Sequence, residues 1–237
     1  MGKWNYIKIV LLLGLLVFLF GFANKRNQAR NLTKIDIKFQ GETPPFITLE
    51  AVNKLLIQNQ GSVTNVNKET LVLKEMESRL LKNPMIRDAD VFITVDGVLG
   101  AKIEQRKPIA RVASSTDFYL DFDGKKMPLS NVYSARVPLI TGSSNTDFEA
   151  LMPLLLKVND DSFMKSIVVG LEVFKNGTVH LRLRKNDLKV EFGNTKAIDK
   201  KFQNFKAFYK KMKEDKKLSL YKKVNLTYGN QVVATKK

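Results

Sequence analysis

Residues 9–23 read IVLLLGLLVFLFGFA, fifteen positions with no charge and no hydrogen-bonding side chain. Such a run is stable only away from water, in a protein core or in lipid. As a helix it is about 22 Å long, short of a bilayer core of about 30 Å. Starting the helix at Trp4 closes the gap. Trp4 and Tyr6 suit the interfacial aromatic belt, and the stem of Lys8 lets its ammonium reach the headgroups. Lys25 and Arg26 bound the far end. The expectation is a short cytoplasmic tail (1–3), a membrane helix (4–23) and a polar, basic linker (24–31). The same run also fits a cleavable leader, with Gly21 and Ala23 in a small-x-small site. Against the leader stand the missing polar spacer and the basic residues directly after the site. The flanking charges are Lys3 and Lys8 on one side and Lys25, Arg26, Arg30 and Lys34 on the other. Taken literally, the positive-inside rule places the C-terminal bulk in the cytoplasm.

The rest of the chain suits two units of about 100 residues each. Hydrophobic residues make up 44% of the sequence, enough to build cores. The formal charge is +17, of which Lys3 and Lys8 supply two, leaving +15 beyond the helix. A basic surface points to an anionic polymer, anionic lipid, an acidic protein or nucleic acid. A membrane tether makes nucleic acid the least expected of these, and none is expected here. There is no cysteine, which excludes disulfides, thiol nucleophiles and cysteine-ligated metals.

Ile35, Ile37 and Phe39 alternate with polar residues, a half-buried strand stopped by Gly41 and Pro44-Pro45. Thr48 is placed to cap a helix with Leu49, Val52, Leu55 and Leu56 on one face. Gly61 ends that region. Asn67 is placed to cap a second helix carrying Leu73, Met76 and Leu80, with Pro84 as its stop. Val91, Ile93 and Val95 form an alternating strand. Asp96-Gly97 reads as a two-residue hairpin turn, and Leu99, Ala101 and Ile103 as the return strand. The order strand, helix, helix, strand, strand requires both helices on one face of a small sheet.

Beyond Arg106 the pattern is mostly β. Asp123-Gly124 separates two short strands, and Pro138 to Gly142 forms a punctuated segment. Thr146 and Glu149 form a capping box for a helix over 147–158 that contains Pro153. Asn176-Gly177 and Asn186-Asp187 then punctuate a meander whose inward residues include Val179, Leu181, Leu183, Leu188, Val190 and Phe192. Ile198, Phe202, Phe205, Tyr209 and Met212 make the stripe of an amphipathic helix. Lys196, Lys200, Lys201, Lys206, Lys210, Lys211 and Lys213 lie on its other face. Val224, Leu226 and Tyr228 alternate after it, and 231–234 extend or fold back as a last strand.

The order of these features over 32–233 resembles the FtsQ/DivIB bacterial cell-division family. The first module looks like a POTRA domain, with Asn83-Pro84 before its second strand and EQRKPIA (104–110) at its close. The family commonly shows Glu-Arg-x-Pro there; here Gln105 separates Glu104 from Arg106, and Lys107 precedes Pro108. YLDFDGKKMPL (119–129) is similar to the family's Asp-x-x-Gly hairpin, and VEFG (190–193), the lysine-rich helix and YKKVNLTYGNQVVA (221–234) follow its C-terminal pattern. The last tract departs from the common Asp-Leu-Arg-Tyr, carrying Asn225, Leu226, Thr227 and Tyr228.

The resemblance implies an α+β fold: a single transmembrane helix, a POTRA-like module (32–107), a mostly antiparallel β domain with one or two helices (108–228) and a partner-binding tail (229–237). It implies a type II protein of the cytoplasmic (inner) membrane at the division septum, its bulk periplasmic or extracytoplasmic. The function implied is a non-catalytic scaffold without cofactors, binding FtsB/FtsL/DivIC-type coiled-coil proteins. By position, the partner site falls on Tyr228, Gly229, Asn230, Gln231, Val232 and Val233. A POTRA-bearing envelope assembly or transport component is the runner-up, and would carry tandem POTRA copies or a membrane barrel.

No catalytic constellation assembles from the sequence. His180 is the only histidine and falls on the polar side of its strand. Asp121 and Asp123 mimic a carboxylate pair, but Asp123 before Gly124 reads as turn chemistry. Asp160-Asp161 reads as a solvated turn. Nucleotide-cradle and nucleophile-elbow motifs are missing. A terminal strand at a sheet edge offers unpaired backbone groups to a partner strand. The lysine face is either solvated or a platform for acidic partners or anionic lipid. The family's orientation is directly testable: an alkaline phosphatase fusion at Lys237 is expected to be active, and a cytoplasm-only fluorescent fusion dark.

Overall fold

The computed structural model describes residues 3–28, 32–41, 44–57, 72–142, 147–184, 186–229 and 231–237. Two units separate, Met1–Gln105 and Arg106–Lys237. The first opens with helix α1, Lys3–Gln28. At 1.5 Å per residue its 26 residues extend about 39 Å, ample for a bilayer. Within it Tyr6–Ala23 is long and apolar enough to cross a membrane and none of it is buried. Lys8 Nζ lies 5.7 Å from the centre of the Trp4 ring, one helical turn away.

The small module follows: β1 (Lys34–Gln40), α2 (Leu49–Ile57), α3 (Leu73–Leu81), β2 (Ile86–Ile93) and β3 (Val98–Gln105). The sheet order is β1-β3-β2, with β1 parallel to β3 and β2 antiparallel to it. The expected strand-helix-helix-strand-strand order is thus found. Val52 and Leu56 of α2 and Met76 and Leu80 of α3 are buried together with Ile86, Val91, Leu99 and Ile103 of the strands. Thr48 Oγ1 accepts the Ala51 N–H at 3.1 Å, the expected cap. Gly61 and the Asn67 cap lie outside the described residues. Buried Gln105 ties the end of β3 to the segment before α2, its Oε1 accepting the Phe46 N–H at 2.6 Å. On the outer side of β2, Glu77 Oε1 accepts the Val91 N–H at 3.0 Å, so α3 covers one of that edge's donors.

The hairpin after β2 corrects the two-residue turn. Thr94 N–H donates to Val98 O, and Gly97 N–H donates back to Thr94 O, so the loop has three residues, 95–97. Gly97 alone has positive φ, +83°, whereas a two-residue Asp-Gly turn needs it at both positions. The same bonds recur at Asp121/Lys125 with Gly124 and at Phe174/Thr178 with Gly177.

The second unit contains β4 (Pro108–Val112), β5 (Phe118–Asp121), β6 (Lys126–Pro128), β7 (Leu139–Gly142), α4 (Phe148–Asp160), α5 (Ser162–Ile167), β8 (Val168–Val173), β9 (Val179–Leu183), β10 (Asn186–Gly193), α6 (Ile198–Glu214), β11 (Tyr221–Asn225) and β12 (Val233–Lys236). Its nine strands form one sheet, ordered β12-β11-β10-β9-β8-β7-β4-β5-β6. The pairs β4/β7, β7/β8 and β10/β11 are parallel and the others antiparallel. A parallel pair requires a crossover. Here α4 with α5 supplies one and α6 another. Leu151, Leu154, Leu155 and Val158 of α4, Met164 of α5, and Phe202 and Phe205 of α6 share one core with Leu171, Leu181, Val190, Phe192 and Val224 of the sheet.

Several local expectations change. The cap of α4 is Asp147, whose Oδ1 accepts the Ala150 N–H at 3.2 Å; Thr146 lies outside the described residues. The helix runs on through Pro153, which lies on the exposed side. Asn186 already pairs with Leu183, so the turn expected at Asn186-Asp187 comes earlier, around Arg184. Helix α5 has six residues, too few to show a period, and is marked by its cap Asp161.

Among the described glycines Gly142 has the closest neighbour. Its φ is +120°, and a Cβ there would overlap the carbonyl oxygen of Val173 on β8. Gly142→Ala is therefore expected to destabilise the larger unit by about 2–4 kcal/mol, measured as a shift in its denaturant midpoint by circular dichroism.

Candidate partner-binding edge

The two edges of the larger sheet differ. Edge strand β6 has three residues and ends in Pro128, which has no N–H to offer. At the other edge β12 pairs with β11 on one side, and among the described residues no strand lies beyond it. Its outward N–H and C=O groups face away from the sheet. Val232 and Ala234 pack against the core, whereas Val233 is 42% exposed. This alternation makes one face of the strand apolar and anchored and leaves the rim accessible.

The residues expected by position divide here. Tyr228, 52% exposed, with Gly229 and Gln231, belongs to the connection, closed by Gln231 N–H on Tyr228 O at 3.1 Å. Val232 leads into the strand and Val233 opens it. Asn230 lies outside the described residues. The last strand expected over 231–234 is found shifted to Val233–Lys236, inside the expected tail 229–237, so the edge also takes in Ala234, Thr235 and Lys236 beyond the residues named by position. The Val-Val-Ala-Thr alternation carried that signal in weak form.

Asn225 sets the departure of the chain from β11. Its Oδ1 accepts the Thr227 N–H at 2.8 Å and the Thr227 hydroxyl at 2.6 Å, while its Nδ2 donates to Glu191 Oε2 at 2.9 Å. Lys223 Nζ lies 3.1 Å from the same carboxylate. An aspartate at this position would repeat the two acceptor contacts but would repel Glu191. This gives a physical reason for asparagine where the resembling family has aspartate.

Helix α6 carries the edge hairpin. Phe208 packs edge-on against Tyr221, and Phe205 and Phe202 are buried. The lysine face is smaller than the sequence suggests. Lys201 is buried, its Nζ donating to Asn194 O at 2.7 Å and lying 4.6 Å from the Phe192 ring centre. Burial pushes its ammonium below the ordinary lysine range. Lys206 pairs with Asp161, and Lys157 with Asp199 at 2.9 Å. These pairs line a groove of about 280 Å³ together with Asp160, Phe202 and Gln203, so both of its lysines are already matched.

Asp161 is thus no solvated turn: its Oδ1 accepts the Met164 N–H at 3.0 Å and its carboxylate holds Lys206. Burial pushes this carboxyl up. Lys206 and the N–H groups of Met164 and Phe163 outweigh that and hold it below the ordinary aspartate value of 3.8. A depressed carboxyl stabilises the fold above its unfolded pKa and loses that contribution as pH falls through the folded one. Asp161→Asn keeps a capping oxygen and removes the charge. Wild type should exceed this variant in stability at neutral pH, and the difference should shrink as pH falls below about 4, read from denaturant midpoints across pH.

At the start of the unit Arg106 meets Asp121. Their side chains are 12% and 2% exposed, and Nη1 lies 2.7 Å from Oδ2. Asp121 Oδ1 also accepts the N–H groups of Asp123 at 2.9 Å and Lys125 at 2.7 Å, so Asp121, more than Asp123, builds the turn. Asp123 is 3.8 Å from the same guanidinium. The two carboxylates therefore share a cation. His180 lies between Glu172 and Glu191 on the neighbouring strands, with its ring 4.5 Å from that of Phe174. Arg106→Ala strands a buried carboxylate and is expected to cost about 3–5 kcal/mol in denaturant unfolding, while Asp121→Asn, which keeps the turn acceptor, costs less.

The chain is thus a two-module α+β protein: a helix long and apolar enough to cross a membrane, a small β-α-α-β-β module and a larger mixed sheet ending in an accessible strand. Residues 32–104 match the model of the POTRA-like domain. Residues 107–235, more than half of the chain, match the model described as FtsQ/DivIB, C-terminal related. The chain belongs to the FtsQ/DivIB family of cell-division proteins, a family of non-catalytic scaffolds. The single N-terminal apolar helix fits a bitopic inner-membrane protein. A comparison with curated proteins returned no match.

Proposed function

We propose that this chain links division proteins at the septum, with its soluble bulk on the extracytoplasmic side. It captures an extended segment of an FtsB/FtsL/DivIC-type coiled-coil protein by strand addition on β12. The observation that carries this reading is the edge position of β12, anchored on one face through Val232 and Ala234. A strand laid against that rim gains a ladder of main-chain hydrogen bonds, and side chains at alternate positions supply specificity. Tyr228 and Val233, both exposed beside the rim, are the apolar contacts for such a segment. The exposed lysines of α6 are available to an acidic stretch of a partner or to anionic headgroups.

The test is capture of purified coiled-coil division proteins by the detergent-solubilised full chain. Deletion of 229–237, and separately Val233→Asp, should weaken capture at least about tenfold. Equal capture by all forms removes the edge from the account. Capture by none removes the scaffold reading.

A further inference from the structure

After α6 the chain turns through a 3-10 segment, Leu218–Leu220, into β11, and the end of β12 returns to the same place. Leu220 N–H donates to Lys217 O at 3.0 Å, Lys237 N–H donates to Leu220 O at 2.8 Å, and Tyr221 stands opposite Lys236. Six lysines therefore gather about one turn: Lys213, Lys216, Lys217, Lys222, Lys236 and Lys237. All are exposed, and none forms an ion pair with another described residue. The acids on this turn are Glu214 and Asp215, and Asp215 faces Lys211 at 3.8 Å. Leu218 packs on the core, yet Leu220 beside it is 50% exposed.

Like charges held together repel, and an exposed leucine among them orders water. Both penalties are relieved by one kind of surface, anionic at its face and apolar beneath. We propose that this corner is a second membrane contact: the lysines engage anionic headgroups and Leu220 enters the interfacial layer as a small wedge. A bilayer fits better than an acidic peptide for three reasons. The lysines come from the helix end, β11 and β12, a spread that suits many mobile headgroups. None of them lines the groove beside α6. The chain also carries a helix long and apolar enough to cross a membrane, so a bilayer is a surface the same chain meets. This deepens the lysine-surface reading above and rests on the proposed membrane tether, helix α1.

The chain has no cysteine, so Leu220→Cys gives a unique reporter. The full chain carrying it is placed in bilayer discs of phosphatidylcholine, or of phosphatidylcholine mixed with phosphatidylglycerol. The rate of reaction with a charged maleimide is then read. The expected result is a rate on the order of tenfold slower in the anionic discs, recovering at high salt. The charge reversal K216E/K217E/K222E/K236E should abolish the difference, while Val95→Cys, on the hairpin of the small module, should react equally in both lipids. Equal rates for the Leu220→Cys chain in the two lipids overturn the proposal. So does protection that persists in detergent, which marks burial in protein, and so does protection that appears only when polyglutamate is added, which marks an acidic peptide site. Loss of the chain from alkali-washed vesicles would instead refute the tether, a failure distinct from these.

Discussion

One face of a nine-stranded sheet has to be kept from water, and three helices do it. The same helices make the connectivity possible. Parallel strands cannot be joined by tight turns, so β7 reaches β8 through α4 and α5, and β10 reaches β11 through α6. Cover and crossover are therefore the same residues. The helices are also fastened to each other: Phe163 of α5 meets Tyr209 of α6 edge-on at 5.4 Å, and Asp161 holds Lys206. Burial sets the position of α6 and the ion pair fixes its rotation, since only one face of α6 can place both Phe202 inward and Lys206 beside Asp161.

Patterns with a period were legible in the sequence. Leu188, Val190 and Phe192 are buried as their alternation implies, and so are Phe202 and Phe205 on the helical stripe. Glycines also announced the hairpins, but not their geometry. An Asp-Gly or Asn-Gly pair serves a two-residue turn and equally the end of a three-residue one, and only the φ values separate them. Contacts between residues far apart in sequence left no local trace. Arg106 and Asp121 are fifteen positions apart, and Asp161 and Lys206 are forty-five. Lys201 shows how a period misleads. A helical wheel places it among exposed lysines, but the carbonyl of Asn194 and the ring of Phe192 give its ammonium a buried seat.

The candidate edge was partly legible for a similar reason. Alternation in the last tract marked a strand, and family position marked its beginning. Gly229-Asn230 marked the break between the strands, but nothing local said that the connection also takes up Tyr228 and that the rim itself starts at Val233. Turn chemistry decides that. Asn225 directs the chain out of β11 by holding Thr227 on one side of its amide and Glu191 on the other. The charge of the chain likewise resolves only in three dimensions. Several lysines are matched within the fold by Asp161, Asp199, Asp215 and Glu191, and a group of exposed ones lies where α6, β11 and β12 end.

The parallel pairing of β10 with β11 makes the rim depend on α6. Strand β11 reaches β10 only by way of α6, and β12 is joined to the sheet only through β11. The accessible rim thus belongs to the sheet only while α6 and β11 are in place. A protein that recognises this rim inspects the whole unit through it, and a misfolded copy would be passed over without any dedicated proofreading step.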